Sequence, residues 1–324
     1  MDMTFLQAVN KALFEEMEHD PSVIILGEDI RIWGAPRGEF KGLFDKYGPD
    51  RIIDTPISET AILGAAIGAA ATGMRPIANI MYVSFLGVCG DELINQLTQM
   101  RYMCGGKVKM PVTIMSYFGA GFCAGAHHSS SLHGLLMSIP GLQIVVPSTP
   151  YDAKGLLKSA IREDNPTIFL SHQMLMRRGL AEPIPEKEYT LPLGKADIKR
   201  EGNDVTVVAT AFMVHCALSA ANSLAQRGIS VEIVDPRTLA PLDIGTIIDS
   251  VRKTNRLVII TEEPGSGSAA SMISALVSEE AFDLLDAPVK RINAPDTPVP
   301  FSPILEKSWI PNEEELIRVV TEMM

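Results

Sequence analysis

Residues 54–83 read DTPISETAILGAAIGAAATGMRPIANIMYV. Pro56 and Ser58 are helix-start signals: Ser58 suits an N-cap, and Glu59 falls in the first turn, where a negative charge favours the helix dipole. Thr60 to Thr72 reads as a helix, and Gly73 supplies a C-terminal stop. RPIANIMYV then runs apolar without alternation, the pattern of a strand buried on both faces of a parallel sheet. Gly64, Ala65, Gly68 and Ala69 recur at three- and four-residue spacing, so one helical face carries almost no side chain. Each glycine inside a helix costs about 1 kcal/mol relative to alanine, so a close neighbour is expected against that face. Glu59 itself is either a solvated acid at a helix start or a carboxylate placed at the mouth of an apolar site.

The helix-then-strand pattern repeats along the chain. SVIILGED, PVTIMSY, LQIVVPS and TIFLSH are further strand runs, with helical stretches such as Gly90–Met103 and Tyr151–Arg162 between them. The composition breaks at AEPIPEKEYTLPLG, where prolines and charges show no period. A second series follows: DVTVVAT, a helix from Met213 to Arg227 closed by Gly228, SVEIVD, RLVIITEE and VKRINA. The expectation is an α/β protein of two domains, 1–182 and 197–324, joined by a linker at 183–196, each with a parallel or mostly parallel sheet.

A chain of 324 residues, 46% hydrophobic, has enough apolar side chains for two sizeable cores. Its net charge of −11 and its lack of a basic run exclude the electrostatic footprint of a nucleic-acid binder. The longest apolar run, Ala61–Met74, is too short for a bilayer and is followed by Arg75 and Pro76. TFLQAVNKALFEEM already reads as an amphipathic helix, so no targeting peptide and no membrane partner are expected. Cys89, Cys104, Cys123 and Cys216 form no C-x-x-C pair and sit in apolar or Gly-rich surroundings. Reduced, buried thiols in a cytoplasmic protein are expected.

Two motifs invite chemistry. In RLVIITEEPGSGSAAS, Gly265, Gly267 and Ala270 match a loose dinucleotide fingerprint, but Glu262, Glu263 and Pro264 separate it from the strand and would repel a pyrophosphate. AGAHHSSSLHG holds His127, His128 and His133 without the spacing or second cluster that zinc requires. The Gly-rich stretch around these histidines follows a predicted strand. Loops at the carboxyl ends of parallel strands are where α/β proteins place ligand chemistry. The chain offers no Gly-rich phosphate cradle and no Mg²⁺ ligand set. Any diphosphate cofactor served by Glu59 would need another polypeptide for its phosphate end.

With these residues in view, the chain resembles the β subunit of the E1 component of thiamine-diphosphate-dependent 2-oxo acid dehydrogenase complexes, of the pyruvate or acetoin type. LGED (Leu26–Asp29), DTPISE (Asp54–Glu59), GAAIGAAATGMRPIA (Gly64–Ala78) and RYMCGG (Arg101–Gly106) carry the resemblance. PGLQIVVPSTPYDAKGLLKSAIREDNP (Pro140–Pro166), VDPRTLAPLD (Val234–Asp243) and DTPVPFSPILE (Asp296–Glu306) extend it over essentially the full length.

The resemblance implies a transketolase-like pyrimidine-binding domain followed by a transketolase C-terminal-like α/β domain, working as an α2β2 heterotetramer. It implies that the α subunit holds the diphosphate and Mg²⁺ while β receives the aminopyrimidine, and that acyl groups pass to a lipoyl-bearing E2. Glu59 matches the glutamate that bonds the pyrimidine N1′; Phe85 matches the aromatic residue packing on that ring, with Met81 nearby. His128 matches the active-site histidine. A structural potassium site maps to Val112, Ala160, Ile161, Glu163 and Asn165. The departures from the family pattern are Ser129–Ser131 with His133, Gly134 and Leu135 after His128, Ser84 before Phe85, and GSGSAASM in the C-terminal loop. They bear on the acyl acceptor and substrate rather than on cofactor activation. The alternatives are a transketolase-like half-enzyme with a non-lipoyl acceptor and a non-catalytic scaffold subunit.

Overall fold

The continuous apolar runs become strands with nearly every residue buried, as sheets covered on both faces require. The computed structural model describes residues 2–177 and 179–324. It divides into two units. The first runs to Phe118 and resumes at Ser138–Leu193; the second comprises Gly119–Met137 and Gly194–Met324.

In the first unit the strands lie in the order Gln143–Val145, Thr167–His172, Thr113–Phe118, Arg75–Tyr82, Val23–Glu28, Ile52–Thr55, each parallel to its neighbours. Parallel pairing brings Glu28, Thr55, Tyr82, Phe118 and His172 to one edge, the carboxyl edge. Helix Phe5–His19 is opened by a capping box between Thr4 and Gln7. It packs on helix Pro150–Arg162, where Lys154 and Lys158 reach Glu15 at 2.9 and 2.7 Å and Arg162 holds both oxygens of Glu16 at 2.8 Å.

Two features escape the apolar pattern. Ala181–Pro183 pairs antiparallel with Asp2–Thr4, three residues against three, too short to show a period. The Pro-rich stretch after it is laid along helix Pro150–Arg162. Tyr189 stacks on Tyr151 with ring centroids 4.6 Å apart, and the Leu191 N–H donates to the Gly155 carbonyl at 3.2 Å.

The second unit has a five-stranded sheet in the order Lys290–Ala294, Leu257–Pro264, Val205–Ala209, Val231–Asp235, Asp197–Arg200. Only the last strand is antiparallel to its neighbour. Val207, Ile233 and Ile260 pack with helix Phe212–Ala225 and with Leu316 and Val320, while Val208, Val234 and Ile259 pack with helices Ile244–Thr254 and Ala269–Glu280. Neighbours such as Val207 and Val208 thus serve opposite cores, which is why this strand shows no polar alternation.

All four cysteines are free, but only Cys89 is buried and Cys104 is exposed, which corrects the expectation of four buried thiols. Gly-rich flanks mark turns, and turns lie at the surface. Among the described residues no helix is long and apolar enough to cross a membrane.

Candidate active site

The helix after the second edge strand spans Glu59–Ala71, with Ser58 at the N-cap position but no side-chain cap bond. Glu59 is half-buried at its first turn. The Thr60 hydroxyl donates to the Val88 carbonyl at 3.1 Å, tying this helix start to the end of the 3₁₀ turn Val83–Gly87, which carries Phe85. Cys89 links the two sides: burial first, then the charges of Glu92 and Glu59, push its thiol up to about 12. Glu59 therefore shares one neighbourhood with the Phe85 turn.

That neighbourhood is acidic. Glu28, at the end of its strand, is held above the ordinary carboxylate range by burial first and then by Asp29, Glu59 and Asp54. Asp54 accepts the backbone N–H groups of Ile30 and Arg31 at 2.9 and 3.2 Å. The small-chained face of the helix has no close neighbour: a Cβ on Gly68 would meet nothing within 4 Å, and one on Gly64 only the Glu92 Cγ at 4.0 Å. The close approach expected there is not made within the described residues.

Phe85 is half-buried, as are Met81 and Ser84. Tyr82 meets the Phe85 ring edge-on at 5.6 Å and the Tyr117 ring at 5.7 Å. Behind this aromatic row lies a polar cluster invisible in the sequence. The Tyr117 hydroxyl donates to Glu39, which is 1% exposed, and Arg37 reaches the Gln173 amide oxygen at 2.6 Å with its guanidinium 6.0 Å from the Tyr117 ring centre. Burial pushes the Glu39 carboxyl up to about 7, against the hydrogen bond from Tyr117.

The five residues matched to a potassium site gather around the C-terminal end of helix Pro150–Arg162: Ala160 and Ile161 in its last turn, Glu163 and Asn165 just after it, and Val112 before strand Thr113–Phe118. Their carbonyl groups already accept hydrogen bonds: Val112 from the Thr167 N–H, Ala160 from the Thr113 hydroxyl, Asn165 from the Thr167 hydroxyl. Arg75 spans the Ile161 and Glu163 carbonyls at 3.1 and 2.9 Å and pairs with Asp164 at 2.7 Å. Carbonyl oxygens suit a hard cation, but a guanidinium already brings positive charge to two of them.

His128 belongs to the second unit, on the loop that spans Gly119–Met137. It is half-buried, whereas its neighbour His127 is exposed. The hydroxyls of Ser129 and Ser131 are buried with no hydrogen-bond partner. His133, 1% exposed, places Nδ1 3.5 Å from the Glu263 carboxylate. Among the described residues no three His, Cys, Asp or Glu side chains gather to hold a metal ion. The loose dinucleotide motif is closed as well. Glu263 accepts the Ala269 N–H at 3.0 Å, at the start of helix Ala269–Glu280, where a pyrophosphate would otherwise bind.

Matches to known families cover both halves. Residues 1–178 match the transketolase pyrimidine-binding domain and residues 194–316 the transketolase C-terminal domain. A solved chain described as a split-gene transketolase, an inactive beta4 tetramer, superposes with a TM-score of 0.81, covering 99% of this chain and 98% of its own, at 24% identity. Fold and family matches together define a protein of the transketolase-type, thiamine-diphosphate-dependent class. Among similar proteins, the acetoin:2,6-dichlorophenolindophenol oxidoreductase subunit beta of Bacillus subtilis is 49% identical, over 98% of this chain and 96% of its own. The pyruvate dehydrogenase E1 component subunit beta and the 2-oxoisovalerate dehydrogenase subunit beta of the same organism are 42% and 41% identical, each over 99% of this chain and 98% of their own. The chain belongs to this family of E1 β subunits, which are oxidoreductases.

The residues fit the pyrimidine half of the cofactor. An aminopyrimidine needs a flat apolar contact, which the Phe85 ring beside Tyr82 could offer, and a carboxylate, which Glu59 could offer. The Ser84 hydroxyl, next to Phe85 in sequence, is buried without a hydrogen-bond partner and is a spare polar atom at this site.

Proposed function

We propose that this chain forms half of an active site with an E1 α subunit in an α2β2 assembly. The complete enzyme decarboxylates a short 2-oxo acid or cleaves acetoin, and hands the acyl group to a lipoyl-bearing E2. When bound, thiamine diphosphate supplies the nucleophilic carbon and electron sink that cleavage beside a carbonyl requires. In this reading Glu59 holds and moves a proton at the pyrimidine N1′, and Phe85 and Met81 pack on the pyrimidine. His128 exchanges a proton with the substrate or the acyl-accepting group. The α subunit holds the diphosphate and Mg²⁺, for which this chain has no cradle. A potassium ion at the Val112, Ala160, Ile161, Glu163 and Asn165 cluster is part of the same proposal.

The observation that carries the reading is the meeting of a helix-start carboxylate with an aromatic turn at the carboxyl edge of a parallel sheet. The test is reconstitution. The chain co-expressed with its α partner should reduce dichlorophenolindophenol in the presence of acetoin, pyruvate or 2-oxoisovalerate, and the preferred substrate assigns the specificity. Calorimetry on the chain alone should show no thiamine diphosphate binding at micromolar concentration. Tight binding to the isolated chain would refute the shared site.

A further inference from the structure

The loop that carries His128 is held by its own main chain. Three carboxylates of the second unit, each 2–3% exposed, take its backbone N–H groups: Glu262, Glu263 and Glu306. Glu262 accepts the Ala120 N–H at 2.5 Å. Glu306 accepts the Cys123 N–H with both oxygens, at 3.1 and 2.9 Å, and the Cys123 thiol at 3.2 Å. Past the histidine, Glu263 accepts the Gly134 N–H at 3.0 Å on one oxygen and the Ala269 N–H at 3.0 Å on the other. The loop is thus gripped on both sides of His128.

We propose that Glu262, Glu263 and Glu306 are positioning residues that set where the His128 imidazole stands. The proposal rests on the reading of His128 as an active-site residue. Its physical basis is that an ionised acceptor makes the stronger, shorter hydrogen bond, and more so away from water. A carboxylate also offers two acceptor oxygens where an amide offers one. Glu263 uses both, one for the loop and one for the following helix, so replacement by glutamine leaves one buried N–H unmatched. Packing supports the grip. A Cβ on Gly134 would lie 1.6 Å from the Gly267 carbonyl oxygen, so this end of the loop touches the Pro264–Ser268 turn backbone to backbone. At the other end Ala120 is buried with Val299 and Trp309, and the Trp309 indole N–H donates to the Thr297 carbonyl at 3.1 Å. A proton-transfer group displaced by about 1 Å can lose on the order of 10²-fold in rate, so a loop that only tethers His128 would not serve.

The test is a double-mutant cycle in the assembled enzyme. Glu306→Gln and Glu263→Gln, each alone, should slow acyl transfer by on the order of 10- to 100-fold. Hydrogen exchange at the cofactor C2, the step assigned to Glu59, should stay within about twofold. In a His128→Ala background the same substitutions should cost less than about twofold, because the group they position is gone. Equal fractional losses in both backgrounds would overturn the proposal and leave the carboxylates with a structural role alone. If His128→Ala turns over at the wild-type rate, the reading of His128 fails, and the grip is judged by Cys123. Glu306 first, through its hydrogen bond, and then burial hold this thiol above its ordinary value. In the full chain carrying Glu306→Gln, alkylation at Cys123, mapped by peptide mass spectrometry, should be several-fold faster at pH 8. An unchanged rate would overturn the grip itself.

Discussion

Glu59 and His128 are both half-buried, yet their supports differ. Around Glu59 stand other acids, Glu28 and Asp54 among them, and behind it a helix face left open at Gly68. Around His128 the loop is closed: carboxylates take the N–H groups on either side, and Gly134 is pressed against the Gly267 carbonyl. The first arrangement accumulates like charges and leaves room. The second matches Glu262, Glu263 and Glu306 each with a backbone donor. The first design suits a site that is completed from outside, because like charges gathered at a half-buried edge favour an arriving donor. A group that must act at a fixed place needs the second.

The largest effect expected comes from breaking the open side. In the assembled enzyme Glu59→Gln keeps the shape but cannot relay a proton, so C2 hydrogen exchange, read by quenched NMR, should fall by on the order of 10³–10⁴-fold. His128→Ala should leave that exchange within a few-fold and instead slow acyl transfer by about 10²–10³-fold. Equal effects on both steps would erase the division of labour between the two regions.

A smaller effect sharpens the contrast inside the first unit. Glu39 titrates near 7 in the folded chain against an ordinary value of 4.5, because burial disfavours its charge. The folded state therefore binds the proton more tightly than the unfolded one. The stabilisation is fully present below about 4.5 and is lost as pH rises through about 7. Between pH 5 and pH 8 this group should remove about 2–3 kcal/mol from the unfolding free energy. Glu39→Gln should be free of that slope, so that urea denaturation shows its stability relative to wild type rising with pH. A pH-independent difference between the two would mean that Glu39 titrates normally.

The smallest effect concerns the carbonyl cluster. Arg75 already neutralises part of that site, so exchanging potassium for sodium should shift the melting temperature by only about 2 °C, the equivalent of under 1 kcal/mol. A shift above about 8 °C would make the cation an integral part of the cluster.

The sheets were legible because a strand covered on both faces is mostly apolar: Val23–Gly27 and Leu257–Ile260 each stand out as unbroken apolar runs, the second ending in the buried Thr261, Glu262 and Glu263. Asp197–Arg200 did not, being a half-buried edge strand of four residues in which Asp, Lys and Arg accompany a single Ile. Glu59, Phe85 and His128 could be named from motifs. The grip on the His128 loop could not, since its acceptors answer to backbone N–H groups, which every residue but proline possesses. Glu262 and Glu263 were visible only as an obstacle to pyrophosphate. Glu39 is likewise one acid among many until its burial against Tyr117 is known.

The spacing of the grip along the chain has a consequence for how this protein comes into being. Ala120 waits for a partner 142 positions later, Gly134 for one 129 positions later, and Cys123 for one 183 positions later. Synthesis proceeds at about 5–20 residues per second, so Glu306 leaves the ribosome many seconds after the loop has emerged. Until Glu262 and Glu263 emerge the histidine loop lacks its acceptors, and its long-range closures are the slow kind. A ribosome that stalls, or a chain cut short, before residue 262 delivers a His128 loop with none of its three carboxylate acceptors.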